Sequence, residues 1–340
     1  MKWTMTLLTV CFLSSAVIAG DPPKAVEKMN GVNFVAPVRK VGGECFVPLQ
    51  RINSEWVALN PFAYGTPGST TLKFDISWQW WGERIEGVRA MLDYAKDQKL
   101  KVMIKPHIWV KGEGWPGDFE LESDKAWKEW EKNYKAYVMA YAQIAEEYNV
   151  EVFCLGTEVR KSVRFRSAFW FQLIKDVRQV YHGKITYASN WDNFESVPFW
   201  KELDFIGIDC YFPVSEEKQP SVDQLLEGWK PFRKQIRVFA EKQGVPVIFT
   251  EYGYRSIERT SWKQWLLPEH WEDGDEKVSL LAQVNAYDAI FRTFWNEPWF
   301  AGGFLWKWYA DDKGQGGTGD RDYTPQNKPV EKLIYQWYKK

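Results

Sequence analysis

The chain has 340 residues, with 44 Lys and Arg against 45 Asp and Glu. So even a balance, without segregated basic blocks, removes any electrostatic case for a nucleic-acid partner. The length suits one large α/β barrel or two small domains. There are 21 Trp, 16 Tyr and 21 Phe; most belong at helix–sheet interfaces, but flat indoles also suit the apolar C–H faces of sugar rings.

Residues 1–19 read as an export signal: Lys2 gives a thin positive start, Leu7 to Ile18 is mostly apolar, and Val17-Ile18-Ala19 fits a small-residue cleavage site. The apolar run is short for a bilayer, so no stable membrane span is expected after signal removal. An uncleaved N-terminal anchor is the alternative. The expectation is a secreted or periplasmic protein with one catalytic domain over residues 20–340. Besides Cys11 inside that signal, Cys45, Cys154 and Cys210 are odd in number and scattered, which is no disulfide framework. Cys154 and Cys210 fall in apolar runs and read as buried small hydrophobes. His107, His182 and His270 are unclustered and no CxxC occurs, which argues against zinc.

Strand-like and helix-like runs alternate along the chain. The first strand is predicted at Gly31 to Pro37, with a weak helix near Phe46 to Ser54. The second strand spans Trp56 to Phe62, and a Trp-rich loop (Trp78-Gln79-Trp80-Trp81) precedes a helix over Arg84 to Lys96. The third strand is Lys101 to Ile108, followed by a Gly-rich loop with Trp115 and a long amphipathic helix near Asp124 to Tyr148. The fourth is Val150 to Glu158, with a helix around Ala168 to Tyr181.

The rhythm repeats in the second half. Strand five is Lys184 to Asn190, with a short helix near Ser196 to Glu202. Strand six, Asp204 to Tyr211, leads to a helix over Val222 to Gln243. Strand seven, Val245 to Glu251, is followed by a helix over Lys277 to Asn296. Strand eight is Ala301 to Trp308, and a last helix covers Val330 to Lys339. Eight such units predict an α/β fold, a single (β/α)8 TIM barrel. No Gly-rich fingerprint follows the first strand, against dinucleotide binding.

Alternation within the strands agrees. Ile206, Ile208 and Cys210 would pack beneath helices, while Gly207, Asp209 and Tyr211 would point inward. Val102 and Ile104 oppose Lys105 and His107 in the same way. Polar inward groups near C-terminal strand ends are what an active site at that rim requires. Two apolar strands end on glutamates there, Cys154-Leu155-Gly156-Thr157-Glu158 and Ile248-Phe249-Thr250-Glu251. As strands four and seven they face one another across the mouth. Two facing carboxyl groups can cleave a glycosidic bond, one giving a proton while the other attacks the sugar carbon.

The strings GTE at Gly156 to Glu158 and TEYGY at Thr250 to Tyr254 are similar to those of the clan of retaining TIM-barrel hydrolases. The chain resembles glycoside hydrolase family 113 in particular, whose characterised members are β-mannanases. Further matches are KPHIW at Lys105 to Trp109, SNWDNF at Ser189 to Phe194, DFIGIDCYFP at Asp204 to Pro213 and GFLWKW at Gly303 to Trp308.

The resemblance implies Glu158 as acid/base and Glu251 as nucleophile, with Tyr211 holding that carboxylate ionised and Trp306 as a platform under the sugar. Lys105, His107, Asn190 and Asp209 would contact sugar hydroxyls. Tyr252 and at least one tryptophan of the 78–81 loop, taken as Trp78, complete the binding set. Many clan members carry Asn just before the acid/base, where this chain has Thr157. The contact to the sugar 2-hydroxyl must then come from elsewhere or be lost. The expected partner is β-mannan or a related β-linked polysaccharide, bound by a monomer without metal or organic cofactor. An exo-acting β-mannosidase, a β-1,4-glucanase and an inactive saccharide-binding barrel remain open.

Overall fold

The computed structural model describes residues 27–112, 115–265 and 277–340. The proposed signal segment, Cys11 and His270 lie outside these residues. Among the described residues ten strands form in chain order: β1 Met29–Phe34, β2 Trp56–Leu59, β3 Phe62–Gly65, β4 Lys101–Ile104, β5 His107–Val110, β6 Val152–Thr157, β7 Lys184–Asn190, β8 Ile206–Asp209, β9 Val247–Tyr252 and β10 Phe300–Trp308. Eight of them close a parallel barrel in the order β1-β10-β9-β8-β7-β6-β4-β2. The predicted (β/α)8 barrel is therefore the observed fold.

The helices over the outside are α1 Ile85–Asp97, α2 Asp124–Glu147, α3 Arg160–Phe165, α4 Ser167–Val180, α5 Val222–Gln243, α6 Leu280–Phe294 and α7 Val330–Tyr338. Their starts follow local chemistry. Ser221 and Gln224 form a reciprocal capping box at α5, and the Ser123 and Ser279 hydroxyls accept the Ala126 and Ala282 amides at α2 and α6. The Ser279 cap starts α6 three residues later than the apolar pattern suggests. Short 3₁₀ segments replace the two weak predicted helices, at Gly43–Ile52 and at Phe194–Ser196 with Trp200–Glu202.

Prolines account for the main departure from the predicted strands. The second and third strands each break, at Pro61 and Pro106, since proline has no N–H for the ladder. Hydrogen bonding nevertheless continues above the break. Lys105 N donates to Leu59 O (2.8 Å), His107 N to Pro61 O (2.9 Å) and Lys111 N to Gly65 O (3.0 Å). Thus β3 and β5 pair in parallel, outside the closed barrel. They form a two-stranded ribbon standing on the C-terminal rim.

Two apolar layers hold the barrel. Inside it, Met29, Trp56, Ala58, Met103, Val152, Cys154, Ala188, Phe205, Ile248, Ala301 and Phe304 pack together. Gly31 also faces in, because a Cβ there would meet the Phe304 ring at 2.4 Å. Outside, Ile206, Ile208 and Cys210 pack under the helices as the alternation requires. Cys45, Cys154 and Cys210 are all buried free thiols. No helix among the described residues is long and apolar enough to cross a membrane.

The last helix is tied to the barrel by two phenols. The Tyr338 hydroxyl donates to Gly31 O (2.7 Å) and lies 2.6 Å from the Tyr252 hydroxyl, all three buried. Tyr338→Phe strands a buried hydroxyl and a buried carbonyl, so unfolding stability should fall by about 1–3 kcal/mol. Urea titration measures it, and an unchanged midpoint would contradict the tie.

Candidate active site

Glu158 follows the end of β6 and has a φ of +53°, a left-handed conformation that costs a non-glycine residue free energy. Its N–H still donates to Ala188 O (2.8 Å), so the neighbouring strand is held while the chain turns sharply into α3. One carboxyl oxygen, Oε2, accepts the Trp115 indole N–H at 2.5 Å. The side chain is partly open to solvent yet deep among protein atoms. Burial, reinforced by the negative charges of Asp209 and Glu251, pushes its carboxyl well above the ordinary range; Trp115 and Lys105 pull only partly the other way. Glu158 thus keeps its proton to higher pH than an ordinary carboxyl does.

Glu251 is differently placed. It is 7 % exposed, Oε2 accepts the Tyr211 hydroxyl at 2.6 Å, and Oε1 takes a close ion pair from the Lys105 ammonium. Burial keeps Tyr211 firmly protonated, aided by the Glu251 charge, so the phenol remains a donor. The β8–β9 ladder slips one residue here, setting Asp209 opposite Glu251. Thr250 then reaches Asp209 Oδ1 (2.7 Å) while its neighbour Glu251 meets Lys105 and Tyr211. Strict inward–outward alternation fails here, and that failure brings both residues to the site.

The Lys105 ammonium is fully buried and lies 3.8 Å from Asp209 Oδ1. Burial opposes its charge, but Asp209 and Glu251 outweigh that effect and hold its proton more tightly than an ordinary lysine does. Asp209 is equally buried, and burial together with the Glu251 charge raises its carboxyl to about 7. His107 Nε2 is 3.9 Å from Glu251 Oε1, but burial and the Lys105 charge push the imidazole well below its usual value. It is neutral, and no partner among the described residues satisfies that nitrogen. The Trp306 indole completes the floor, 5.6 Å from the Lys105 ammonium and 6.3 Å from the His107 ring. Gly253 permits this placement: a Cβ there would sit 2.3 Å from Trp306 O.

Seven of the ten residues predicted from sequence therefore gather at one end of the barrel: Glu158, Glu251, Lys105, His107, Asp209, Tyr211 and Trp306. Within that group Lys105 and Asp209 are 0 % exposed. They support Glu251 from beneath instead of facing a ligand as expected. Asn190 is at the end of β7 opposite Asp209, with its side-chain carbonyl accepting the Trp191 amide at 2.9 Å. Tyr252 does not join the site. One step beyond Glu251 it points outward, buried against Tyr287, Phe291 and Tyr338. Trp78 lies on the ribbon side, edge-on to Tyr64, whereas Trp81 is core and Trp80 is exposed.

Two residues of the site were not anticipated. Trp115 reaches Glu158 from a loop 43 positions earlier in the chain, and no local pattern announces such a contact. Asn33 is fully buried and ties β1 to β9 and β10 by donating to Thr250 O (3.0 Å) and Phe304 O (3.1 Å). Its only signal was that a buried strand carries two asparagines, Asn30 and Asn33. Arg160 does not neutralise Glu158: it pairs with Asp118 (2.6 Å) and Asp192 (3.5 Å) and stacks over Trp115 (4.7 Å).

The arrangement is one carboxyl that retains a proton and another fixed between a cation and a phenol. Known proteins of the same shape carry related activities. The model of Glycoside Hydrolase Family 113 matches residues 44–328. A family 113 β-mannanase from Alicyclobacillus acidocaldarius, solved in complex with ManMIm, superposes with a TM-score of 0.79 at 24 % identity, covering 92 % of this chain and 98 % of that one. A family 113 β-1,4-mannanase superposes at 0.77 with 27 % identity, over 92 % and 99 % of the two chains. A β-glucuronidase of Ruminococcus gnavus shares the fold at 0.64 with 13 % identity, over 92 % of this chain and 50 % of that one. No curated protein matches the sequence.

Two raised carboxyls make stability depend on pH. A carboxyl whose folded value lies above its unfolded one binds its proton more tightly when folded, so stability is lost as pH rises between the two. For Asp209 that window runs from about 4 to about 7. Asp209→Asn should give a shallower fall in denaturation midpoint across it than the parent, with the Glu158 contribution remaining. An identical slope would contradict the assignment.

Proposed function

The chain belongs to glycoside hydrolase family 113, and from that premise we propose that it hydrolyses β-1,4-mannosidic bonds within mannan-type polysaccharides, with net retention at the anomeric carbon. The observation that carries the reading is the contrast between Glu158, which favours its proton, and Glu251, whose two oxygens are held by donors. Retaining hydrolysis needs that contrast: one acid to protonate the leaving oxygen and one carboxylate to attack.

In the first step a Glu251 oxygen attacks the anomeric carbon from one face of the sugar. The glycosidic C–O bond breaks as Glu158 delivers its proton to the departing oxygen. In the second step Glu158, now a carboxylate, takes a proton from water. The hydroxide displaces Glu251 from the same carbon, so two inversions restore the configuration. Lys105 and Tyr211 keep Glu251 oriented throughout, and both donate to it as it leaves. Trp306 offers its face to the sugar at the cleavage point.

The neutral His107 and Asn190 are the remaining polar groups beside the carboxyls. Thr157 donates to Pro106 O (3.2 Å) and is occupied, so it does not replace the asparagine common at this place in the clan. The neutral His107 ring lies beside Glu251, and an axial 2-hydroxyl, as in mannose, suits a partner other than that asparagine. Export through the N-terminal segment would bring such an enzyme to its polymeric substrate.

A reducing-sugar assay on mannan, cellulose, xylan and lichenan, with product sizes followed over time, tests the substrate. Mixed short oligomers from mannan should appear early; silence on all four polymers would remove the proposed activity. Glu251→Ala should abolish turnover and regain part of it with added azide, whereas an inverted NMR product from the parent would exclude the two-step route.

Trp115 gives a finer test. Its indole N–H lowers the Glu158 proton affinity, so Trp115→Phe should raise it further. The acid then keeps its proton to higher pH, and the alkaline limb of kcat/KM moves upward. A limb that stays in place, or moves down, would separate Glu158 from the acid role.

A further inference from the structure

The ribbon above the rim presents two unlike faces. Ala63, Gly65, Ile108 and Val110 are buried, while Phe62, Tyr64, His107 and Trp109 alternate with them on the open side. The strands pair in register, Phe62 opposite His107 and Tyr64 opposite Trp109. Four rings thus form two rows, one residue pair apart, a spacing of roughly 6–7 Å along the strands. The lower row belongs to the catalytic centre, since His107 stacks on Phe62 at 4.9 Å and approaches both Glu251 and Trp306.

The upper row opens into a groove of about 600 Å³, inside the roughly 300–1,000 Å³ span of pockets that bury small ligands. Tyr64, Trp78 and Trp109 supply its aromatic faces, and Lys73, Lys111 and Thr71 supply donors. Trp78 and Trp109 are 59 % and 50 % exposed, an unusual outlay of indole for a surface without a ligand. Their mounting is rigid. The Tyr64 hydroxyl bonds both oxygens of the buried Glu83 (3.0 and 2.9 Å), and the Gln79 amide pins the Trp78 loop to Phe62 O at 2.9 Å. Tyr64 and Lys73 also exchange backbone hydrogen bonds at 2.8 and 2.9 Å.

We propose that Tyr64, Trp78 and Trp109 form a distal platform that binds backbone sugars of the same polysaccharide, beyond the unit that is cleaved. This rests on the glycoside hydrolase reading above and adds to it where the chain runs. The aromatic faces continue without interruption from Trp306 through His107 and Phe62 to the groove. Uncharged pyranose rings stack on such faces by their C–H surfaces, and the flanking lysines and threonine meet equatorial hydroxyls. The ribbon thereby selects for long substrates and favours attack within a chain.

The test compares mannohexaose with mannotriose on the parent, Trp78→Ala and Trp109→Ala. Each substitution should lower the hexaose-to-triose ratio of kcat/KM about tenfold, the loss of one stacking face. Neither should shift the melting temperature, because both indoles lie at the surface. Retardation in gels containing soluble glucomannan reads the platform without turnover, and it should weaken in both variants. With an active parent, a parental ratio in both variants overturns the platform. With an inactive parent, the proposed activity fails, and gel retardation alone decides: weaker in the variants, the platform stands; equal, it falls.

Discussion

A fully buried ammonium, that of Lys105, lies between two buried carboxyls, and the chemistry of the barrel mouth is organised around it. Removing such a charge from water is costly unless partners of opposite sign and good geometry surround it. Asp209 and Glu251 are those partners, delivered by adjacent strands through a slipped ladder. The requirement works in both directions. Lys105 needs the carboxyls to remain charged, and Glu251 needs Lys105 and Tyr211 to lie fixed in a position with little water. Burial does most to make Glu158 hold its proton more tightly and to keep His107 neutral, and the charges of this cluster add to both effects.

The same cluster explains why two acidic residues at one rim behave differently. Glu158 has a single neutral donor on one oxygen and feels two negative neighbours. Glu251 has a cation on one oxygen and a phenol on the other. The difference lies in the surroundings, since the side chains are identical. It is set by residues from four strands or their ends and by Trp115 from a loop, which only barrel closure brings together.

Most of this plan was legible in the sequence. The alternation of apolar and polar positions in β8 located its inner face, and strands ending on glutamates marked the rim. Resemblance to a known family pointed to Lys105, His107, Tyr211 and Trp306 as members of one cluster. Legibility failed where the backbone departs from regular form. A ladder slip turned Tyr252 away, and prolines split two predicted strands into four. Burial depth was also invisible: nothing in the string KPHIW distinguishes a lysine that touches a ligand from one that lies beneath Glu251. Trp115, near in space to Glu158 but far in sequence, is of the same kind.

Pro61 and Pro106 stand side by side where the closed barrel gives way to the ribbon, and together they mark a seam. Below it every strand is locked by neighbours on both flanks, so a change of length propagates around the whole ring. Above it two four-residue strands pair with each other outside the closed ring, braced by Lys73, Gln79 and Glu83. A lineage can therefore re-surface the outer positions of the ribbon, Tyr64 and Trp109, while His107 at its base stays beside Glu251, and diversity in what is recognised can accumulate there with the carboxyls left in place.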